Sequence, residues 1–186
     1  MTRCEWAGTD PLYIQYHDTE WGVPVYDDNK LFEFLILETF QAGLSWITIL
    51  RKREKFREAF DNFDFYKIAS YKDTKIQSLM INAGIVRNRI KINATISNAA
   101  AFIRLRDEFA SFSKYIWAFT DGKPITNHYK SIDEIPAKTA LSDTISRDLK
   151  KRGFKFVGST VIYAHMQATG MVNDHIITCF RHSEVQ

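Results

Sequence analysis

The amino-acid sequence predicts an all-α fold. Three observations carry that expectation: apolar residues recur at spacings of three and four, alternating strand patterns of useful length are absent, and the 8 Gly and 4 Pro fall between the apolar segments. Lys30 to Ala42 is apolar almost all round (Leu31, Phe32, Phe34, Leu35, Ile36, Leu37, Phe40), the pattern of a buried helix. Gly43 suits the position after its end, and Ser45 suits the N-cap of a second helix with Trp46, Ile49, Leu50, Phe56 and Phe60 on one face. A helix over Lys75 to Ala83 stops at Gly84, and another from about Val86 carries Ile92, Ile96, Ala99 and Ile103 at helical spacing. Asp121-Gly122-Lys123-Pro124 reads as a turn. Ser142 is expected to cap a helix with Ile145 and Leu149 inside, Gly153 to end it, and Gly158 to precede a last helix running to Gly170.

Length and composition bound the class. A chain of 186 residues makes one ordinary domain, expected as a single globular unit from 1 to 186, with room for two helical lobes and a pocket between them. With 45% hydrophobic and 25% charged residues it can bury a core, which argues against disorder. No apolar run approaches the length of a membrane span, and Met1-Thr2-Arg3-Cys4-Glu5-Trp6 has no apolar signal region. A monomer in the cytoplasm, with no membrane partner, is the expectation. The net charge of +3 is too small to establish a polyanionic ligand. Cys4 and Cys179 lie near opposite ends of the chain, and free thiols or a metal site are favoured over a disulfide.

Four constellations can carry chemistry. Glu38 lies seven residues after Leu31, four after Phe34 and three after Leu35, which puts a carboxylate in an apolar helical stripe. Such a group either pairs with an arginine or hydrogen-bonds a neighbouring helix end and serves only the fold, or it forms the floor of a pocket that selects donors or positive charge. Trp6, Tyr13, Tyr16, Trp21 and Trp46 crowd the first quarter of the chain. Core filling is the ordinary explanation, but rings beside a buried carboxylate also make a slot for a flat, electron-poor ligand such as a nucleobase. His175 and Cys179 are four apart and on a helix would point the same way; Cys4 and His17 can complete a tetrahedral Cys₂His₂ zinc site joining the chain ends. Buried free thiols remain the alternative.

The fourth constellation is basic. Arg147, Lys150, Lys151, Arg152 and Lys155 stand against Asp148, a local balance of +4. Within this stretch Lys151-Arg152-Gly153-Phe154-Lys155-Phe156-Val157-Gly158-Ser159-Thr160 reads as helix, hairpin, helix. Backbone amides at such a glycine and at the following helix start can hold a phosphate without reading sequence. A solvated helix end that complements the macrodipole is the simpler reading. Arg51-Lys52-Arg53-Glu54-Lys55 and Arg87-Asn88-Arg89-Ile90-Lys91 can extend the footprint.

Longer blocks then become visible. Cys4-Glu5-Trp6, Asp10-Pro11-Leu12-Tyr13-Ile14, Tyr16-His17-Asp18-Thr19-Glu20-Trp21-Gly22-Val23-Pro24, Gln41-Ala42-Gly43-Leu44-Ser45-Trp46, Lys150 through Gly158 and Val172-Asn173-Asp174-His175 together resemble the DNA-3-methyladenine glycosylase I family, from about residue 2 to 180. The resemblance implies a helix-hairpin-helix DNA glycosylase that excises 3-methyladenine from double-stranded alkylated DNA in base excision repair and releases the free base. It implies a structural Zn2+ on Cys4, His17, His175 and Cys179. It also implies that Glu38 accepts hydrogen bonds from the flipped base, that Trp46 stacks on it with Tyr16 and Trp21 in the same pocket, and that Trp6 and Tyr13 belong with them. Leu44, exposed at the Gly43 turn, becomes the wedge that fills the gap in the duplex. Lys151, Arg152, Gly153, Phe154, Lys155, Gly158 and Ser159 become the phosphate grip.

The resemblance also limits the mechanism. Many relatives carry a catalytic lysine just after the second hairpin glycine; here Ser159 and Thr160 follow Gly158, so strand-cleaving lyase activity is not expected. Asn173 stands where those relatives carry an aspartate, with Asp174 beside it. Two other classes compete with the glycosylase: a non-catalytic DNA-docking module, which leaves Glu38 and its aromatic company without a purpose, and a zinc hydrolase, disfavoured because four protein ligands leave no open coordination position.

Overall fold

A computed structural model describes residues 1–185 as a helical body. The central element, α2 (Asp28–Gln41), is buried without a break from Leu31 to Phe40. That continuity follows from its sequence: an all-round apolar helix has no face to give to solvent. Asp27 caps its N-terminus by accepting from Lys30 N–H at 2.9 Å. Its last turn is closed by a buried lysine: Lys91 donates from Nζ to the carbonyls of Phe40 (2.9 Å) and Ala42 (2.7 Å). Positive charge at these terminal carbonyls is the arrangement that a helix macrodipole favours.

Around α2 pack α3 (Trp46–Ala59), α6 (Arg89–Phe109), α7 (Phe112–Trp117) and α9 (Ser159–Ala168). Between α3 and α6 lie α4 (Phe65–Ala69) and α5 (Asp73–Ile81). Before α2 comes α1 (Pro11–Thr19), with Pro11 in the first turn and the Asp10 side chain accepting from Leu12 N–H. The C-terminal half adds α8 (Ala140–Lys151), which pairs with α9, and the short α10 (Arg181–Glu184). The described strands are two-residue pieces, β1 (Ile125–Thr126) and β2 (Val172–Asn173), paired in parallel, so the all-α expectation holds.

The expected boundaries shift where capping chemistry differs from its simplest reading. Ser142 does not cap α8. Thr139 does: its hydroxyl accepts from Ser142 N–H while the Ser142 hydroxyl accepts from Thr139 N–H, a reciprocal box that starts the helix three residues earlier. The helix expected from Val86 begins at Arg89, because Asn88 accepts from Lys91 N–H and serves as its cap.

Two glycines are required by geometry. Gly43 turns between α2 and α3 at φ +84°, a left-handed conformation that costs glycine nothing. Gly170, at φ +68°, lies so close to the Val23–Pro24 backbone that a Cβ would sit 2.4 Å from Pro24 N. It lets the segment after α9 pass directly against the strap between α1 and α2.

Candidate active site and metal centre

A cavity of about 330 Å³ opens among these elements. The N-terminal segment and α1 contribute Trp6, Tyr13, Tyr16 and Trp21; α2 contributes Glu38 and Gln41; α3 contributes Trp46. Facing them are Thr160, Tyr163, Ala164 and Gln167 of α9, and the loop residues Ile132, Ile135, Pro136 and Ala137 close another side. The rings form a continuous wall, with Trp6 5.0 Å from Tyr13 and 4.9 Å from Trp21, and Tyr16 5.3 Å from Trp46, centroid to centroid. All five aromatic residues singled out from sequence, together with Glu38, therefore line one cavity.

Glu38 is only 4% exposed and accepts no hydrogen bond from any described side chain or backbone group. Burial pushes its carboxyl up to about 8. The arginine-paired alternative for this residue fails, because the nearby arginine has other partners. Arg53 binds Glu33 (2.6 Å) and Glu20 (2.8 Å), and Arg57 also binds Glu33 (2.7 Å). The buried ion pair exists on α2, but one and a half turns before Glu38. One further polar group in the wall is unmatched: Trp46 Nε1 is buried with no partner. The Tyr16 phenol is held well above its ordinary range by burial and then by Glu38. The arrangement is a flat aromatic slot with an unpaired acceptor at its base. It suits a planar ligand that brings donors or positive charge.

A smaller cavity of about 210 Å³ shares Glu38, Gln41, Thr160 and Ala164 with the first and reaches Ala42, Gly43 and Leu44. Leu44, at the tip of the turn between α2 and α3, is 42% exposed.

Cys4, His17, His175 and Cys179 are all buried, and their ligating atoms lie within 4.8 Å of one another. Cys179 Sγ is 3.5 Å from both His17 Nε2 and His175 Nδ1, and Cys4 Sγ is 3.6 Å from His175 Nδ1. A tetrahedral zinc with bonds of ~2.3 Å to sulfur and ~2.0–2.1 Å to nitrogen has S–N edges of about 3.6 Å. The donor set fits that ion. The outer nitrogens are engaged as such a site requires: His17 Nδ1 meets Asp18 Oδ1 at 2.7 Å, and His175 Nε2 meets the Trp21 carbonyl at 3.1 Å. Burial raises the Cys4 thiol to about 12 and lowers His175 to about 3, so burial favours the neutral form of both side chains. One expectation fails in detail. His175 and Cys179 are not on a helix but in the turn between β2 and α10, where Cys179 N–H donates to Ile176 C=O at 2.8 Å.

The segment between α8 and α9, residues 152–158, is pinned from below. Asn98 of α6, missed in the sequence reading, accepts from Lys155 N–H (2.7 Å) and donates to Lys155 C=O (3.0 Å). Lys151 and Lys155 are exposed, and Gly153, Gly158 and Ser159 are half-buried. Arg152 and Phe154 depart from the expected phosphate grip. Arg152 is held by Asp148 and Glu108, both at 2.7 Å, over the Phe109 and Tyr115 rings, and Phe154 is buried in the core. The Ser159 hydroxyl is 2.8 Å from that of Ser142. Asn173 and Asp174 are fully buried and internally bonded: Asn173 Nδ2 donates to His182 C=O, and Asp174 accepts from Asn127, Tyr163 and Gln167. Gln41, Thr160, Tyr163 and Gln167 are pocket residues that the sequence reading did not single out. The signal for α9 was present in the 160, 163, 164, 167 spacing of one helix face.

The fold and the cavity thus define a helical protein that takes up a flat, donor-bearing ligand against an aromatic wall. A family model described as methyladenine glycosylase matches residues 6–182. The chain is 49% identical, over 96% of its length and 96% of the relative's, to DNA-3-methyladenine glycosylase 1 of Escherichia coli. It is 48% identical, with the same coverage, to DNA-3-methyladenine glycosylase of Haemophilus influenzae. Among solved structures, a crystal structure of 3-methyladenine DNA glycosylase I superposes with a TM-score of 0.94 at 51% identity, over 96% of this chain and 98% of that one. The Staphylococcus aureus 3-methyladenine DNA glycosylase I, solved to show the structural basis of 3-methyladenine recognition, superposes with a TM-score of 0.93 at 36% identity, over 97% and 96% of the two chains. The chain belongs to the methyladenine glycosylase family.

Proposed function

We propose that this chain is a monofunctional DNA glycosylase that flips 3-methyladenine out of alkylated duplex DNA and hydrolyses its glycosidic bond in base excision repair. The observation that carries the reading is the unpaired, buried Glu38 carboxyl at the base of the aromatic cavity. Alkylation at N3 gives the adenine positive charge; the Glu38 carboxyl, protonated near neutral pH before the base enters, releases its proton to solvent on meeting that charge, and then supplies the complementary charge and accepts from the base's donors. Trp46 and Tyr16 stack on the base, with Trp6, Tyr13 and Trp21 completing the wall. Extruding a base costs about a few kcal/mol in lost stacking and pairing, which these contacts and the Leu44 wedge offset. Lys151, Lys155 and the amides around Gly153, Gly158 and Ser159 bind backbone phosphates.

Catalysis follows from charge. The cationic base is already a good leaving group: the C1′–N bond breaks with its electron pair going to the base, water adds to C1′ and loses a proton to solvent, and a pocket that favours the departing base lowers the barrier without a strong acid. Neither Ser159 nor Thr160 can form a Schiff base, so the product is an abasic site with an uncut strand and the free base.

In this reading Cys4, His17, His175 and Cys179 hold a structural zinc, which supplies cross-linking of the two chain ends and no open position for chemistry. The unit acts as one globular monomer in the cytoplasm, at the nucleoid during repair. In keeping with this, no helix among the described residues is long and apolar enough to cross a membrane.

Base release from methylated duplex DNA tests the proposal. Wild-type protein is expected to liberate 3-methyladenine, and Glu38→Gln to lower kcat/KM by about 10–100-fold, the loss of one charge-assisted interaction. Undiminished release by Glu38→Gln would remove Glu38 from the chemistry.

A further inference from the structure

We propose that Gln167 sets the base preference of the pocket: Asp174 holds its amide so that the oxygen accepts from the exocyclic amine of an adenine-type base and repels the C6 carbonyl of a guanine-type base. The inference rests on the glycosylase reading of the same cavity and deepens it.

Asp174 is fully buried behind the α9 wall of the cavity. Its Oδ1 accepts from Asn127 Nδ2 at 2.7 Å, and its Oδ2 accepts from Tyr163 Oη at 2.6 Å and from Gln167 Nε2 at 2.8 Å. Burial and then this hydrogen bond keep the Tyr163 phenol well above its ordinary range, so it stays protonated and donates. Three donors therefore converge on one carboxylate. A carboxylate only accepts, so Gln167 must offer it the NH₂ group; the opposite amide orientation would set oxygen against oxygen. The amide is locked, and Oε1 is turned away from Asp174 with no partner among the described residues.

Tyr163 and Gln167 are four apart on α9, on the face that lines the cavity containing Glu38. The cavity therefore holds two acceptors, the Glu38 carboxylate and the Gln167 amide oxygen. At the C6 edge adenine presents an amine donor and guanine a carbonyl acceptor. An oxygen that cannot rotate rewards the first and opposes the second, at no cost in side-chain freedom on binding. A free glutamine would adapt to either base by flipping; the buried Asp174 removes that option.

The test compares free 3-methyladenine and free 7-methylguanine binding, followed by tryptophan fluorescence, in wild type and Gln167→Met, which keeps length but cannot accept. The expected result is about fivefold weaker 3-methyladenine binding, with 7-methylguanine unchanged or tighter. Because Asp174 is buried beside a metal ligand, Asp174→Leu, which keeps the shape but cannot accept, serves only as a second variant that frees the amide, and it should narrow the preference in the same direction. Equal weakening of both bases, no change in either, or no 3-methyladenine binding by wild type would overturn the proposal. If wild type binds 3-methyladenine yet releases none from methylated DNA, the glycosylase reading falls, while the binding comparison still decides the role of Gln167.

Discussion

At the scale of single residues, Glu38 shows how a site conflicts with stability. Burial raises its pKa from an ordinary carboxylate value to about 8. Below pH ~4.5 the group is neutral in both folded and unfolded chains and has no linkage effect. Between that pH and about 8 the unfolded chain releases the proton while the folded one retains it, so the folded state loses stability as pH rises. Glu38→Gln removes this penalty. Its thermal midpoint is expected to match wild type near pH 4.5, to exceed it increasingly up to pH 8, and then to hold a constant lead, as melting curves across pH would show. The position of Glu38 in an apolar stripe was legible in the sequence. Its lack of an arginine was not, because the choice between Glu33 and Glu38 depends on how α3 lies across α2, which brings Arg53 and Arg57 to Glu33. Gln167 was hidden for a similar reason: its meaning depends on Asp174, which is close in sequence but reaches it only after the chain leaves α9 and returns.

At the scale of elements, the loop between α8 and α9 owes its shape to a residue outside it. Asn98 bonds both backbone groups of Lys155 from the middle of α6, and Ser146 donates to the Val157 carbonyl at 2.6 Å. Asn98→Ala leaves two partly buried backbone groups without their protein partner, and a loss of about 1 kcal/mol in stability is expected from denaturant unfolding. Duplex DNA binding should weaken further in the same variant while binding of free 3-methyladenine stays unchanged, since Asn98 does not line the base cavity. That a glycine-flanked loop with exposed lysines separates two helices here was readable from sequence because turns and charge runs are local. The fates of Arg152 and Phe154 were not: Glu108, Phe109 and the core that take them up belong to other segments. The helix assumed for His175 and Cys179 shows the same limit, since a spacing of four is shared by a helix and by a tight turn.

At the scale of the whole molecule, the Cys₂His₂ cluster and the base cavity are one structure. The His17 and Trp6 ring centroids are 5.2 Å apart and meet edge to face, and His175 meets Trp21 likewise at 4.6 Å, so two ligand imidazoles form the backing of two cavity walls. Metal removal is therefore expected to act on binding as well as on stability. Metal analysis should find about one zinc per chain. A strong chelator, or Cys179→Ala, should lower the thermal midpoint, change tryptophan fluorescence and weaken 3-methyladenine binding together. A protein without zinc whose stability is indifferent to Cys179→Ala would end the structural-metal reading.

The same cluster also bears on synthesis. Cys4 and His175 are 171 residues apart, a long loop to close. While a ribosome is still adding the C-terminal segment, Trp6 and Trp21 have only half of their backing, and neither His175 nor Cys179 exists to receive the thiol and imidazole waiting near the start. The central helices can condense early around α2, but the aromatic wall is completed last. A nascent chain that has not yet reached His175 would thus be unable to grip a flipped base. Competence to act on DNA would then arrive only once residues 175–179 have been added.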